Sequence, residues 1–99
     1  MIRRYWVYIL ASKRNGRLDV GVTNNLVRRA WQPKQGLIEG FTQRYHVHRL
    51  VYAESFQYVR DAIEREKRLK KWNRPWKIRL IASMNPEWKD LSETLIDVP

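Results

Sequence analysis

The sequence predicts a small domain of the α/β (α+β) class, and three observations carry that prediction. Two runs rich in aromatic and β-branched residues, Tyr5-Trp6-Val7-Tyr8-Ile9-Leu10-Ala11 and about Arg17 to Val22, are separated by Asn15-Gly16, the signature of a tight reversal. A third run of the same kind, Arg49-Leu50-Val51-Tyr52-Ala53-Glu54-Ser55-Phe56, stands alone in mid-chain. Apolar residues at helical spacing recur between Tyr58 and Trp72 and again after Pro75. Ninety-nine residues suit one domain, 1–99, with a modest core.

Taken in order, the first run is the outgoing strand of a hairpin and Ser12-Lys13-Arg14-Asn15-Gly16 its turn. The returning strand places Leu18, Val20 and Val22 on one face and Arg17, Asp19 and Gly21 on the other, so Asp19 belongs to the non-core face. Asn24 or Asn25 can cap a following helix whose apolar stripe is Leu26, Val27, Ala30 and Trp31, and Pro33 should end it. From Lys34 to about His46 there is no clear period, which reads as a loop. After the third strand, Tyr58 to Trp72 forms the best-defined helix, with Val59, Ala62, Ile63 and Leu69 on one face and Glu66 on that same face. Pro75 opens another helix through Trp76, Ile78, Leu80 and Ile81 that ends near Met84. A short turn from Asn85 to Leu91 packs Trp88, and the last residues fray.

Twenty Lys and Arg against ten acids give a formal charge of +10, which favours a polyanionic partner, nucleic acid first. A membrane partner is disfavoured, since no apolar run approaches a bilayer span and there is no amino-terminal signal pattern, so a cytoplasmic protein is expected. Without cysteine there is no disulfide and no zinc-thiolate site, and any metal must be held by carboxylates or the two histidines. His46 and His48 share a strand face, but no third ligand accompanies them.

Between Arg60 and Arg79 stand nine Lys or Arg and three acids, with Trp72 and Trp76 interleaved. Such a mixture suits phosphate contact and base stacking, or equally a solvated helix face with tryptophans in the core. Arg28, Lys67, Lys70, Lys71, Arg74 and Lys77 are the candidate nucleic-acid contacts. Glu66 is the more specific signal, because a carboxylate on an apolar stripe is costly unless it is paired or binds a metal. It can reach solvent, bond a nearby Arg, or hold a hard cation together with water and substrate phosphate. Arg29, three residues after Leu26, borders the buried face, where a guanidinium can hold a phosphate bidentately. Tyr8, in mid-strand, is by default a packed aromatic.

Together, Tyr5-Trp6-Val7-Tyr8-Ile9-Leu10, Leu18-Asp19-Val20-Gly21-Val22-Thr23-Asn24, Leu26-Val27-Arg28-Arg29 and Arg65-Glu66-Lys67-Arg68-Leu69-Lys70-Lys71-Trp72 resemble the GIY-YIG nuclease superfamily over about residues 3 to 92. The likeness is to its small stand-alone bacterial members, and also to the amino-terminal nuclease domain of the DNA repair excinuclease. The resemblance implies a three-stranded antiparallel sheet flanked by helices. It also implies endonucleolytic hydrolysis of DNA phosphodiesters with one divalent metal, Mg2+ or Mn2+, held by a Glu, and no small-molecule cofactor. Single-stranded or structured DNA is favoured, since no sequence-reading module is attached.

By the same resemblance Tyr8 is one of the paired active-site tyrosines, Arg29 the arginine that stabilises the phosphate and Glu66 the metal ligand. Asp19 stands where the other tyrosine is usual, and Pro33 where a His or Tyr is usual. An acid at 19 places an anion beside the scissile phosphate, although it could also recruit metal or act as a base. Pro33 has no side-chain proton to donate. Hydrolysis is therefore expected to be weakened or lost, the alternative being a catalytically inactive nucleic-acid-binding or partner-binding domain on the same scaffold.

Overall fold

A computed structural model describes residues 4–32 and 46–97, without the side chains of 95–97. Its strands are β1 (Tyr5–Ala11), β2 (Leu18–Thr23) and β3 (Arg49–Phe56), and its helices α1 (Leu26–Trp31), α2 (Val59–Lys71) and α3 (Arg74–Met84). The expected class and the antiparallel sheet are both found. β1 is central in the order β2-β1-β3, pairing antiparallel with both neighbours. At the β1–β2 hairpin, Asn15 takes a φ of 58°, a left-handed conformation that Asn tolerates, and the amide of Gly16 donates to the Lys13 carbonyl at 2.9 Å. Opposite β3 the register shifts between Ile9, paired with Tyr52, and Leu10, paired with Leu50, which leaves Val51 as the extra residue of a bulge.

The continuous apolar run Val7 to Ala11 is buried on both faces of the sheet. On one face Val7, Ile9 and Ala11 join Val20 and Tyr52 against Ala62 and Leu69 of α2, Ile81 of α3, and Trp88. On the other, Tyr8 and Leu10 pack with Leu50, with Leu26 and Ala30 of α1, and with Val47. This second core corrects the reading of Asp19 as lying on a non-core face. Apolar residues at alternate positions of β1 have to be covered too, and α1 covers them beside Asp19.

Asn25 is the residue that caps α1, its side chain accepting from the Arg28 amide at 3.1 Å. The expected helix stop at Pro33 and the loop over 34–45 lie outside the described residues. α2 runs between Tyr58 and Trp72 as its caps, as its periodicity predicts. Its buried stripe is displaced from the expected one. Val59 and Ile63 are 45% and 38% exposed, while Ala62 and Leu69 are buried, with Arg65, Glu66 and Trp72 partly covered. α3 begins where Pro75 predicts, with the Asn73 side chain accepting from the Trp76 amide at 3.0 Å. Trp88 packs into the core from its turn.

Beyond that turn the chain does not fray at once but forms a 3-10 helix over Leu91–Asp97. The Asp90 carboxylate anchors it to the β3 edge by accepting from the amides of Leu50 at 3.2 Å and Ser92 at 3.1 Å.

Candidate active site

The site begins at one cross-strand pair. Tyr8 of β1 lies opposite Gly21 of β2, and a methyl group on Gly21 would overlap the Tyr8 hydroxyl and ring. The phenol thus lies across a strand position where only glycine leaves room for it. Two residues back along β2, on the same face, is Asp19, opposite Leu10. α1 then lays Arg29 over both: its Cζ is 5.1 Å from the Tyr8 ring centroid, and its Nη2 is 3.5 Å from Asp19 Oδ2. The first turn of α1, fixed by the Asn25 cap and by burial of Leu26 and Ala30, sets that reach.

Arg29 is only partly satisfied. Its Nη1 is buried and has no hydrogen-bond partner among the described residues. A buried guanidinium N–H without an acceptor is costly, and an anion entering beside Asp19 would supply one. Asp19 answers one side of the guanidinium fork, and among the described residues nothing answers Nη1.

Glu66 on α2 acts on the same groups through its charge. Its side chain is 16% exposed, and Oε1 forms an ion pair with Lys70 Nζ at 3.2 Å, one helical turn on. The costly carboxylate of the helix stripe is thus paired, to a lysine rather than to the arginine considered from the sequence. Its charge reaches the other groups. Burial, the largest influence, pushes the Tyr8 hydroxyl above its ordinary 10.0; Arg29 draws it back, and Asp19 and Glu66 push it further up. Burial likewise raises the Asp19 carboxyl above 3.8, against the pull of Arg29 and Lys70, with Glu66 adding to the rise. Tyr8, Asp19, Arg29, Glu66 and Lys70 therefore form one electrostatic unit, with Tyr8 protonated at neutral pH.

Among the described residues no group of three His, Asp or Glu could hold a metal by itself. The donors present still fit a hard divalent cation. A mostly buried carboxylate whose present partner is an exposed, displaceable lysine can give one anionic ligand, the remainder coming from water and substrate phosphate.

The other predicted contacts divide. Arg28, Lys67 and Lys71 are exposed on α1 and α2. Lys70 is engaged by Glu66, and Lys77 Nζ lies 3.5 Å from the Lys70 carbonyl. Arg74 serves the fold: its Nη2 donates to the carbonyls of Asn15 and Gly16, the latter at 2.6 Å, and ties α3 to the hairpin turn. His46 and His48 meet edge to face at 5.8 Å. Sequence reasoning missed three partners: Gly21 as the bed of Tyr8, Asp19 as the counter-ion of Arg29, and Lys70 as that of Glu66. Only the last had a signal, its i,i+4 spacing.

Comparison with known proteins bears on the family and the fold. Residues 4–79 match the family model described as the GIY-YIG catalytic domain. A UPF0213 protein of Clostridium perfringens (strain 13 / Type A) is 38% identical over 78 residues, covering 79% of this chain and 83% of the relative. The solution NMR structure of a UPF0213 protein from Bacillus halodurans superposes with a TM-score of 0.55 at 23% identity, covering 97% of this chain and 99% of that one, and so shares the fold. With the family model spanning residues 4–79, and so all three strands and the helices α1 and α2, the chain belongs to the GIY-YIG family.

Proposed function

We propose that this protein is a DNA-acting phosphodiester hydrolase of the GIY-YIG type, selective for single-stranded or structured DNA, whose turnover is restrained by its own Asp19. The observation that carries the reading is the guanidinium of Arg29, with Nη2 on Asp19 and Nη1 buried without a hydrogen-bond partner among the described residues. A phosphate oxygen fits the open side, and as charge builds on that phosphate Arg29 stabilises it. Tyr8, kept protonated by burial, acts as a hydrogen-bond donor that orients the phosphate or the attacking water. Glu66 would hold Mg2+ or Mn2+ once Lys70 swings away, and when bound the metal supplies positive charge and a more acidic water.

Asp19 sets the rate. It occupies Arg29 and places a carboxylate next to an incoming anion, so substrate must displace or share the pair. Exposed Arg28, Lys67 and Lys71 supply salt-sensitive affinity that does not depend on this step. The same Asp19–Arg29 pair favours a second reading, a binding domain that performs no hydrolysis.

Cleavage of labelled single-stranded and branched DNA with Mg2+ or Mn2+, beside Glu66→Ala, separates the two. Slow metal-dependent cutting that Glu66→Ala abolishes supports the hydrolase. Salt-dependent binding with no cutting under either metal supports the binding domain.

A further inference from the structure

A second feature lies at the elbow between α2 and α3. A groove of about 350 Å3 opens there, lined by Trp72, Trp76, Arg79, Leu80 and Ser83. Trp76 is 51% exposed, although a side chain of that size usually finds more cover in a domain that has a core to offer. The two indoles meet edge to face, their centroids 5.7 Å apart at 88°. The roles of the rings differ. Trp72 is taken, with the Arg65 guanidinium 5.2 Å from its centroid and that guanidinium held in turn by Glu54 at 3.3 Å. Trp76 keeps an open surface.

The elbow is also stiff. Asn73 caps α3 through the Trp76 amide, and Arg74 ties the same turn to the hairpin carbonyls. A platform fixed before binding loses little freedom when a ligand stacks on it. Its surroundings select the ligand. From Lys67 to Pro86 the chain has seven Lys or Arg and no acid, and Arg79 lies on the groove wall itself. An aromatic groove with Arg79 on its wall and no acid among its lining residues complements a flat π-system attached to an anion.

We propose that this groove binds an unpaired nucleobase of a single-stranded nucleic acid, the base stacking on Trp76 and the adjoining phosphate meeting Arg79. The inference rests on the DNA-acting reading and deepens it: it gives a physical source for single-strand preference in a chain whose other basic residues meet any phosphate alike. A base within a duplex is already stacked on its neighbours and cannot lie on Trp76.

The test measures fluorescence anisotropy of a labelled oligothymidylate and of a duplex of equal length with the wild-type protein, Trp76→Ala and Trp76→Phe. Stacking on one aromatic residue corresponds to about a ten-fold change in affinity. Trp76→Ala is expected to weaken single-strand binding by about that factor and leave duplex binding unchanged, while Trp76→Phe retains most of the affinity. Quenching of tryptophan emission by the oligothymidylate should be smaller in Trp76→Phe than in wild type.

Single-strand affinity unchanged in Trp76→Ala, with salt-dependent binding of both DNAs intact, overturns the groove proposal and leaves the DNA-acting reading standing. A concentration-dependent dimer in sedimentation, lost in Trp76→Ala without effect on single-strand binding, overturns it as well and assigns the groove to a second copy. Absence of binding to either DNA defeats the DNA-acting reading itself.

Discussion

Arg29 pairs with Asp19 through Nη2 at 3.5 Å while its Nη1 stays buried without a partner among the described residues. That half-answered guanidinium links fold to function. α1 covers the second face of the sheet, Arg29 rides on it, and Asp19 on β2 meets it there. Four consequences can be measured.

Burial holds the folded Asp19 carboxyl above its ordinary 3.8, so the folded chain keeps that proton more tightly than the unfolded one. Stability from this group is full below about pH 3.8 and is lost as pH rises through the higher folded value. Asp19→Asn is uncharged throughout that window. Its Tm relative to wild type should climb as pH rises from 3.8 and then level off. A difference in Tm that does not change with pH would show that Asp19 titrates as in the unfolded chain.

Gly21→Ala would drive a methyl into the Tyr8 ring. Overpacking of this kind costs about 1–3 kcal/mol, because Tyr8 or β2 must shift. Urea unfolding should register that loss, and the aromatic signals of Tyr8 in NMR spectra should move. A variant as stable as wild type, with those signals in place, would mean that the ring does not lie across Gly21.

Arg74 and Lys67 should behave as opposites. Arg74→Ala removes two charge-assisted bonds to the hairpin carbonyls, and we expect a loss of about 1–2 kcal/mol in stability for this exposed contact, with little change in the salt dependence of DNA binding. Lys67→Ala should leave stability within about 0.5 kcal/mol and lower the slope of log K against log salt by about one. Denaturation and binding titrations on the same two preparations check both. Exchanged behaviours would move the phosphate contact from α2 to α3.

Much of the fold is legible in the sequence because its signals are local. The Asn15-Gly16 reversal, the Asn25 and Asn73 caps, Pro75 and the period of α2 each act over a few residues, and the elements they define are found. What escaped depends on how elements dock. The second core under α1, which turns Asp19 from a surface acid into a half-buried one, is decided by contacts distant in sequence. So are the exposure of Val59, Ile63 and Trp76, and the tether from Asp90 that orders the chain after Trp88. At the site, Glu66 stands out in the sequence as a misplaced charge, whereas the partnership of Asp19 with Arg29 needs the hairpin and α1 to be placed first.

Restraint by Asp19 is tested most directly by the rate of Mn2+- or Mg2+-dependent cleavage of single-stranded DNA by wild type, Asp19→Tyr, and Asp19→Tyr combined with Glu66→Ala. With a tyrosine at position 19 and Arg29 released, the rate should rise by about 100-fold, the lower end of what a single electrostatic contribution at a reacting centre supplies. Adding Glu66→Ala should abolish it. An Asp19→Tyr protein that folds, binds DNA and cuts no faster than wild type would contradict the restraint, and cutting that survives Glu66→Ala would contradict the placement of the site.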